Sequence, residues 1–114
     1  MIRLASDTQI LVAVDAQDFR KGIDGFAGLC RNHFHQNPQS GAVYVFINRP
    51  KTMIRLLAYE HNGYWLMTKR LSKGRFLSWP NSEQAMTPLI AKQLRQLLNN
   101  EPADNSSFHH DGEK

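Results

Sequence analysis

Residues 42–47 read Ala-Val-Tyr-Val-Phe-Ile. Six apolar or aromatic positions follow one another, with no charged or amide side chain among them. A strand with one wet face alternates apolar and polar residues, whereas a strand covered on both faces reads as an unbroken apolar run. This segment is therefore expected to be a central strand, and the flanking chain must supply what covers it.

Ser40-Gly41 before the run is turn chemistry, and Asn48-Arg49-Pro50-Lys51-Thr52 follows it. Beyond lie two more β-rich runs, Met53–Tyr59 (MIRLLAY) and Tyr64–Leu71 (YWLMTKRL), joined by Glu60-His61-Asn62-Gly63. Asn-Gly is a strong hairpin signal; the connection counts as either two residues or four. Phe76–Pro80 (FLSWP) suggests a short edge segment ended by Pro80. Upstream, Gln9–Val14 (QILVAV) reads as a first strand. From Asp18 or Phe19 to His35 the spacing of Phe19, Ile23, Phe26 and Cys30 keeps helical time, and Gln36-Asn37-Pro38 stops it. Gly22, Gly25 and Gly28 fall inside that helix at about 1 kcal/mol each. Gly22 and Gly25 are expected where the backbone approaches the sheet or a partner closely. Phe19, Ile23 and Phe26 should be buried behind an exposed Arg20 and Lys21. Downstream, Thr87 as N-cap and Pro88 at the first helical position predict a last helix. Its stripe is Ile90, Leu94, Leu97 and Leu98, and Asn99-Asn100 close it.

The β-α-β-β-β-α order predicts an α+β fold: an antiparallel sheet of about four to five strands with helices packed on it. The 114 residues suit a single domain over residues 1–100, followed by an acidic, mobile tail over 101–114 that bears His109-His110. One cysteine, Cys30, excludes an internal disulfide framework and a cysteine zinc site, and fits a reducing compartment. Met-Ile-Arg-Leu before Ser6-Asp7 is too short for a signal-peptide core, and no apolar run approaches membrane-spanning length. A cytoplasmic protein without membrane contact is expected.

The formal charge of +4 is unevenly placed. Residues 1–100 carry +7 and residues 101–114 carry −3, while residues 49–75 alone carry +6, with Glu60 as their one acid. In a meander, the connection after the central strand and the exit of the last hairpin strand lie at the same end of the sheet. Arg49 and Lys51 should therefore meet Lys69, Arg70, Lys73 and Arg75. With Arg20 and Lys21 these are the candidate contacts for nucleic acid or a protein partner. Aromatic residues interleave with them between Arg55 and Trp79, as stacking platforms do. Tyr59 and Trp65 read rather as half-buried sheet residues, whereas Lys73 and Arg75 beside a turn glycine should be exposed. A homodimer is compatible with a chain of this size, since small DNA-handling domains often use two copies for reach.

Catalytic patterns are weaker. His33-Phe34-His35 resembles the metal-binding core of tyrosine-dependent single-strand nucleases. It ends a helical segment, however, and Tyr44, Tyr59 and Tyr64 all fall in strand runs. Asp15, Asp18 and Asp24 crowd one loop and helix start, where they cap rather than converge on two metals. Cys30 and His33 have nucleophile-pair spacing, but Cys30 lies on the apolar stripe. No phosphate-binding glycine loop or dinucleotide fingerprint occurs. The expectation is a non-enzyme with no catalytic residues, no cofactor and no metal.

Several motifs then match in order: Asp18-Phe19-Arg20-Lys21-Gly22-Ile23-Asp24-Gly25, Ser40-Gly41-Ala42-Val43-Tyr44-Val45-Phe46 with Asn48-Arg49, Gly63-Tyr64-Trp65-Leu66, Lys69-Arg70-Leu71 with Gly74-Arg75-Phe76, and Trp79-Pro80. Together they resemble the TnpB accessory protein of the sixty-six class of bacterial insertion sequences, its second open reading frame product. The resemblance covers about residues 1–100. It implies a role in DNA transposition beside a small companion protein and a separate, larger transposase, with no catalytic residues assigned. Arg20, Lys21, Lys69, Arg70, Gly74 and Arg75 carry over as motif positions without roles. Contact with insertion-sequence DNA, with the transposase, or with both remains open on this reading.

Overall fold

Every residue of Val43–Ile47, strand β2, is at most 1% exposed. The computed structural model describes residues 4, 5 and 7–102. In it β2 is the middle of five strands, with β1 at Ile10–Ala13, β3 at Met53–Glu60, β4 at Gly63–Arg70 and β5 at Met86–Leu89. The sheet order is β4-β3-β2-β1-β5. Helix α1 spans Ile23–Asn32 and α2 spans Ala91–Leu98.

Because side chains alternate along a strand, the sheet builds two cores. On one face Leu11, Tyr44, Phe46 and Leu57 pack with Phe26, Ala27 and Cys30 of α1. On the other, Ile10, Val12, Val45, Ile47 and Leu56 pack with Leu94 and Leu97 of α2. One helix per face is what an unbroken apolar strand requires, and each side chain so covered contributes about 1.5–3 kcal/mol. The buried Tyr44 hydroxyl donates to the Asn37 carbonyl at 2.8 Å and lies 3.1 Å from Ser40 Oγ.

The fold is α+β, with a mixed and mostly antiparallel sheet. Its parallel pair is β1–β2, joined by the α1 crossover, as parallel neighbours require. The β3–β4 hairpin closes Glu60 on Gly63, so its loop is the two residues His61-Asn62.

Four local expectations are corrected. First, α1 starts at Ile23, with Gly22 as its N-cap, and ends at Asn32 with His33 as C-cap. Asp18 to Lys21 form a loop whose Asp18 carboxylate accepts the Arg20 backbone N–H at 2.9 Å. Phe19 meets Phe26 edge-on at 5.5 Å from that loop, which imitates helical spacing. Phe26 is fully buried, but Phe19 is half-buried and Ile23 is 39% exposed. Second, Thr87 and Pro88 belong to β5 and do not start α2: they pair with Val12 and Leu11 of β1. Ile90 is the N-cap, and its N–H donates to Gln93 Oε1 at 2.9 Å; its own side chain is 62% exposed and off the apolar stripe. Third, Phe76–Pro80 is not a strand. Phe76 and Pro80 are buried, and Trp79 Nε1 donates to the Ala13 carbonyl at 3.1 Å. Fourth, a Cβ on Gly25 would stand 2.5 Å from Lys21 Cβ, whereas Gly22 has nothing within 4 Å. The close approach is thus to Lys21 of the preceding loop, and Gly22 makes none. The tail expected at 101–114 lies, from residue 103 on, outside the described residues.

Candidate binding surface at one end of the sheet

The carboxyl ends of β1 and β2, the start of β3 and the end of β4 share one end of the sheet. Asn48, 4% exposed, organises the β2–β3 turn there. Its Oδ1 accepts the N–H groups of Thr52 at 2.8 Å and Met53 at 3.0 Å, and its Nδ2 donates to Thr52 Oγ1 at 3.0 Å. Lys51 N–H closes the turn onto the Asn48 carbonyl, with Lys51 itself at φ 64°. Arg49, Pro50 and Lys51 are thereby pushed into solvent.

Two loops are laced to this turn. Leu71 N–H donates to the Thr52 carbonyl at 3.0 Å and Phe76 N–H to the Lys51 carbonyl at 2.7 Å. Between these anchors the loop turns at Gly74, φ 72°, leaving Lys73 and Arg75 exposed. Asn100 secures its far side, donating to the Arg75 carbonyl at 3.1 Å and accepting Leu77 N–H at 3.0 Å. On the other flank Gln17 bridges to Asn48, and its N–H donates to the Ile47 carbonyl at 2.8 Å. An open cleft of about 290 Å³ lies between this β1–α1 loop and the turn; Asp18, Phe19, Arg20, Arg49 and Met53 are among its lining.

The candidate cations are brought to one end but are not equivalent. Arg49, Lys51, Arg70, Lys73 and Arg75 are exposed. Arg20 is 90% exposed, yet its Nε and Nη2 grip the Asp18 carboxylate at 2.6–3.1 Å. That hydrogen bond, then the Arg20 backbone N–H, hold the Asp18 carboxyl well below the usual carboxylate range. Lys21 is half-buried, its ammonium 5.8 Å from the centre of the Phe26 ring. Lys69 donates through Nζ to the Leu98 carbonyl at 2.6 Å, capping the C-terminal turn of α2. Acids also interrupt the field. Asp15 and Asp18 follow β1 and Glu83 precedes β5, so the positive stretch covers β4, β3 and β2 and stops at β1.

Arg55 was expected only as one member of the basic and aromatic interleave. It lies instead inside the surface and holds it. Its Nη1 donates to the Phe19 carbonyl at 2.9 Å and to that of Lys21 at 3.3 Å, and its Nε donates to Thr68 Oγ1 at 2.7 Å. Its guanidinium also lies over the rings of Phe19 at 4.6 Å and Phe26 at 5.4 Å. The Asp18–Lys21 loop is thereby fastened across β3 and β4. The alternating pattern put Arg55 on the face of Leu57, but nothing in the pattern said which loop lay above it.

The residues weighed for catalysis lie elsewhere. His33 and His35 are exposed at the end of α1 and flank the buried Phe34. Among the described residues, no group of three His, Cys, Asp or Glu could hold a metal ion. Burial pushes the Cys30 thiol up to about 12, which keeps it protonated at neutral pH. Trp65 is 41% exposed and its Nε1 donates to Glu60 Oε1 at 2.9 Å, while Tyr59 and Tyr64 stack edge-on at the hairpin end, away from the cations. Among the described residues no helix is long and apolar enough to cross a membrane.

A five-stranded sheet with one helix on each face and laced basic loops at one end defines a small α+β domain. Comparison with known proteins gives that domain its family. Residues 8–106 match the IS66 Orf2-like protein family, TnpB of IS66, and the chain belongs to it; it is an insertion-sequence accessory protein. Two relatives come from Sinorhizobium fredii (strain NBRC 101917 / NGR234), and both are described as uncharacterized. Protein y4hO is 29% identical over 98 residues, covering 86% of this chain and 84% of its own length. Protein y4jC is 29% identical over 86 residues, covering 75% and 74%. No solved structure matches the chain significantly.

Proposed function

We propose that this protein supports transposition without catalysing it, by contacting the phosphate backbone of insertion-sequence DNA through the basic end of its sheet. The observation that carries this reading is the lacing of the β2–β3 turn to the 72–75 loop, which gathers Arg49 and Lys51 from one connection and Lys73 and Arg75 from another beside Arg70 at the end of β4. Fixed cations at one rim suit phosphate contact, which depends on charge count rather than base identity. Arg20 and Lys21 flank that rim. The protein acts as a single domain over residues 1–100 in the cytoplasm, with no cofactor or metal.

A salt titration of binding to the element's terminal inverted-repeat duplex tests it. Binding at low salt should weaken steeply with added salt, and Lys73→Glu with Arg75→Glu should lower the slope by about 2. No binding at low salt, or a flat slope, overturns the reading.

A second reading rests on the acids that interrupt the field. A mixed border of Asp15, Asp18 and Glu83 beside five exposed cations suits a protein surface of opposite pattern. On that reading the protein is an adaptor for the transposase or its small companion. Capture of purified transposase without DNA, lost in the same double variant, distinguishes the two.

A further inference from the structure

The two edges of the sheet are built differently. β5 has four residues, includes Pro88 and gives way to α2 after one residue. A short strand with a proline is a guarded edge. β4, the other edge, has eight residues and pairs with β3 one for one from Gly63 to Arg70, without a bulge or a proline. Among the described residues no strand pairs with its outer side.

The register says which backbone groups are free. A two-residue loop closes on a hydrogen-bonded pair, here Glu60 with Gly63. The same series continues to Leu71, whose N–H donates to the Thr52 carbonyl. In an antiparallel ladder alternate residues face away, so Tyr64, Leu66, Thr68 and Arg70 turn their N–H and C=O groups outward.

The geometry points to a second copy of this chain as the occupant, its β4 running antiparallel to the first about a two-fold axis at Met67. Tyr64 then faces Arg70 of the second copy, Leu66 faces Thr68, and Trp65 faces Lys69. Only this symmetric register pairs all four outward residues with one another; a slip of two leaves either Tyr64 or Arg70 opposite a residue outside the strand. The strand complements its own reverse, with aromatic Tyr64-Trp65 in its first half and cationic Lys69-Arg70 in its second. The Arg70 guanidinium then meets the Tyr64 ring, while Lys69, whose ammonium caps α2, lays its aliphatic stem beside Trp65, a ring already oriented by its bond to Glu60. Antiparallel pairing also keeps the two cationic halves about 14–20 Å apart at ~3.4 Å per residue. That exceeds the ~8 Å over which exposed charges interact at physiological salt. Parallel pairing would set them side by side. The resulting ten-stranded sheet carries its basic ends at opposite extremities. This inference uses the outer backbone of β4 and does not rest on the DNA reading.

Light scattering on the full chain over a range of concentrations, together with cysteine cross-linking, tests it. Directly opposed residues of a non-hydrogen-bonded pair have Cα atoms about 4.5 Å apart, within disulfide reach. Met67→Cys should therefore cross-link to itself under mild oxidation. Trp65→Cys, whose two copies would be about 14 Å apart, should not. The buried Cys30 takes no part. Trp65→Lys, set against Lys69, should weaken the dimer about tenfold while leaving the circular dichroism spectrum unchanged. A wild-type chain monomeric at every concentration overturns the proposal. So does a dimer in which Trp65→Cys cross-links as readily as Met67→Cys, or in which neither does.

Discussion

Arg55→Met keeps the length and apolar contact of the side chain and removes the guanidinium. Three hydrogen bonds and two ring contacts are lost. The bond to the Phe19 carbonyl, part-buried at 2.9 Å, is a charge-assisted one contributing about 1.5 kcal/mol. The longer bond to Lys21 adds little, and water can replace the exposed bond to Thr68 at a cost of about 0.5 kcal/mol. The two cation–π contacts contribute about 0.5 kcal/mol each. The variant should thus lose about 3 kcal/mol, which a domain of ~5–15 kcal/mol survives, and its Tm should fall by about 12 °C. Urea unfolding followed by tryptophan fluorescence reads the loss. Hydrogen exchange should localise it, with the amides of residues 18–22 losing protection first. Arg55→Lys keeps a cation near Phe19 but not the planar fork, and should lose about half as much. A loss below about 0.5 kcal/mol for methionine, the usual range for a surface change, or wild-type stability for lysine, would refute the fastening role.

The α1 glycines give a paired test. Gly28→Ala has its nearest atom, Asn32 Nδ2, at 3.8 Å and should stabilise by about 0.5–1 kcal/mol in thermal unfolding. Gly25→Ala drives a Cβ against that of Lys21 at 2.5 Å and should destabilise despite the same gain in helix propensity. Cys30 should resist a thiol reagent in the native state and react at the rate of unfolding, because the thiol is buried and protonated. Asp18 should affect the acid limb. Its folded carboxyl is depressed, chiefly by Arg20, so its stabilisation is present above the unfolded value of about 3.9 and is lost as pH falls toward the folded one. Asp18→Asn should flatten stability against pH below about 4, and over pH 5–9 should lower stability by a constant amount without changing its slope. The same variant frees Arg20 and should steepen the salt dependence of DNA binding by about 1.

The centre of the fold was legible because burial on both faces writes itself as an unbroken apolar run at Val43–Ile47. The hairpin was legible in Asn62-Gly63, although the glycine proves to be the first strand residue rather than part of the loop. β5 was hidden because Thr-Pro has two physical uses. Before an amphipathic stretch it reads as a helix start, yet an edge strand also tolerates the missing N–H, and pairing with β1 decides between them. The early start given to α1 came from Phe19, which packs on Phe26 from a loop at the distance a helix turn would give. The convergence of the basic connections followed from meander topology alone. Which cations remain free did not, since Arg20, Lys69 and Arg55 find partners that only the folded chain brings within reach.

The place of β1 also has a kinetic consequence. It is made early, but its second neighbour, β5, lies about 80 residues later in the chain, with Ile10 pairing Leu89. At ribosomal rates of roughly 5–20 residues per second, that strand waits about 4–16 s for its partner. Meanwhile Ile-Leu-Val-Ala presents an open apolar flank to whatever else is nascent nearby. Sheet completion therefore waits for residues 86–89, and a message truncated before residue 86 would yield a chain prone to aggregate rather than a smaller working domain.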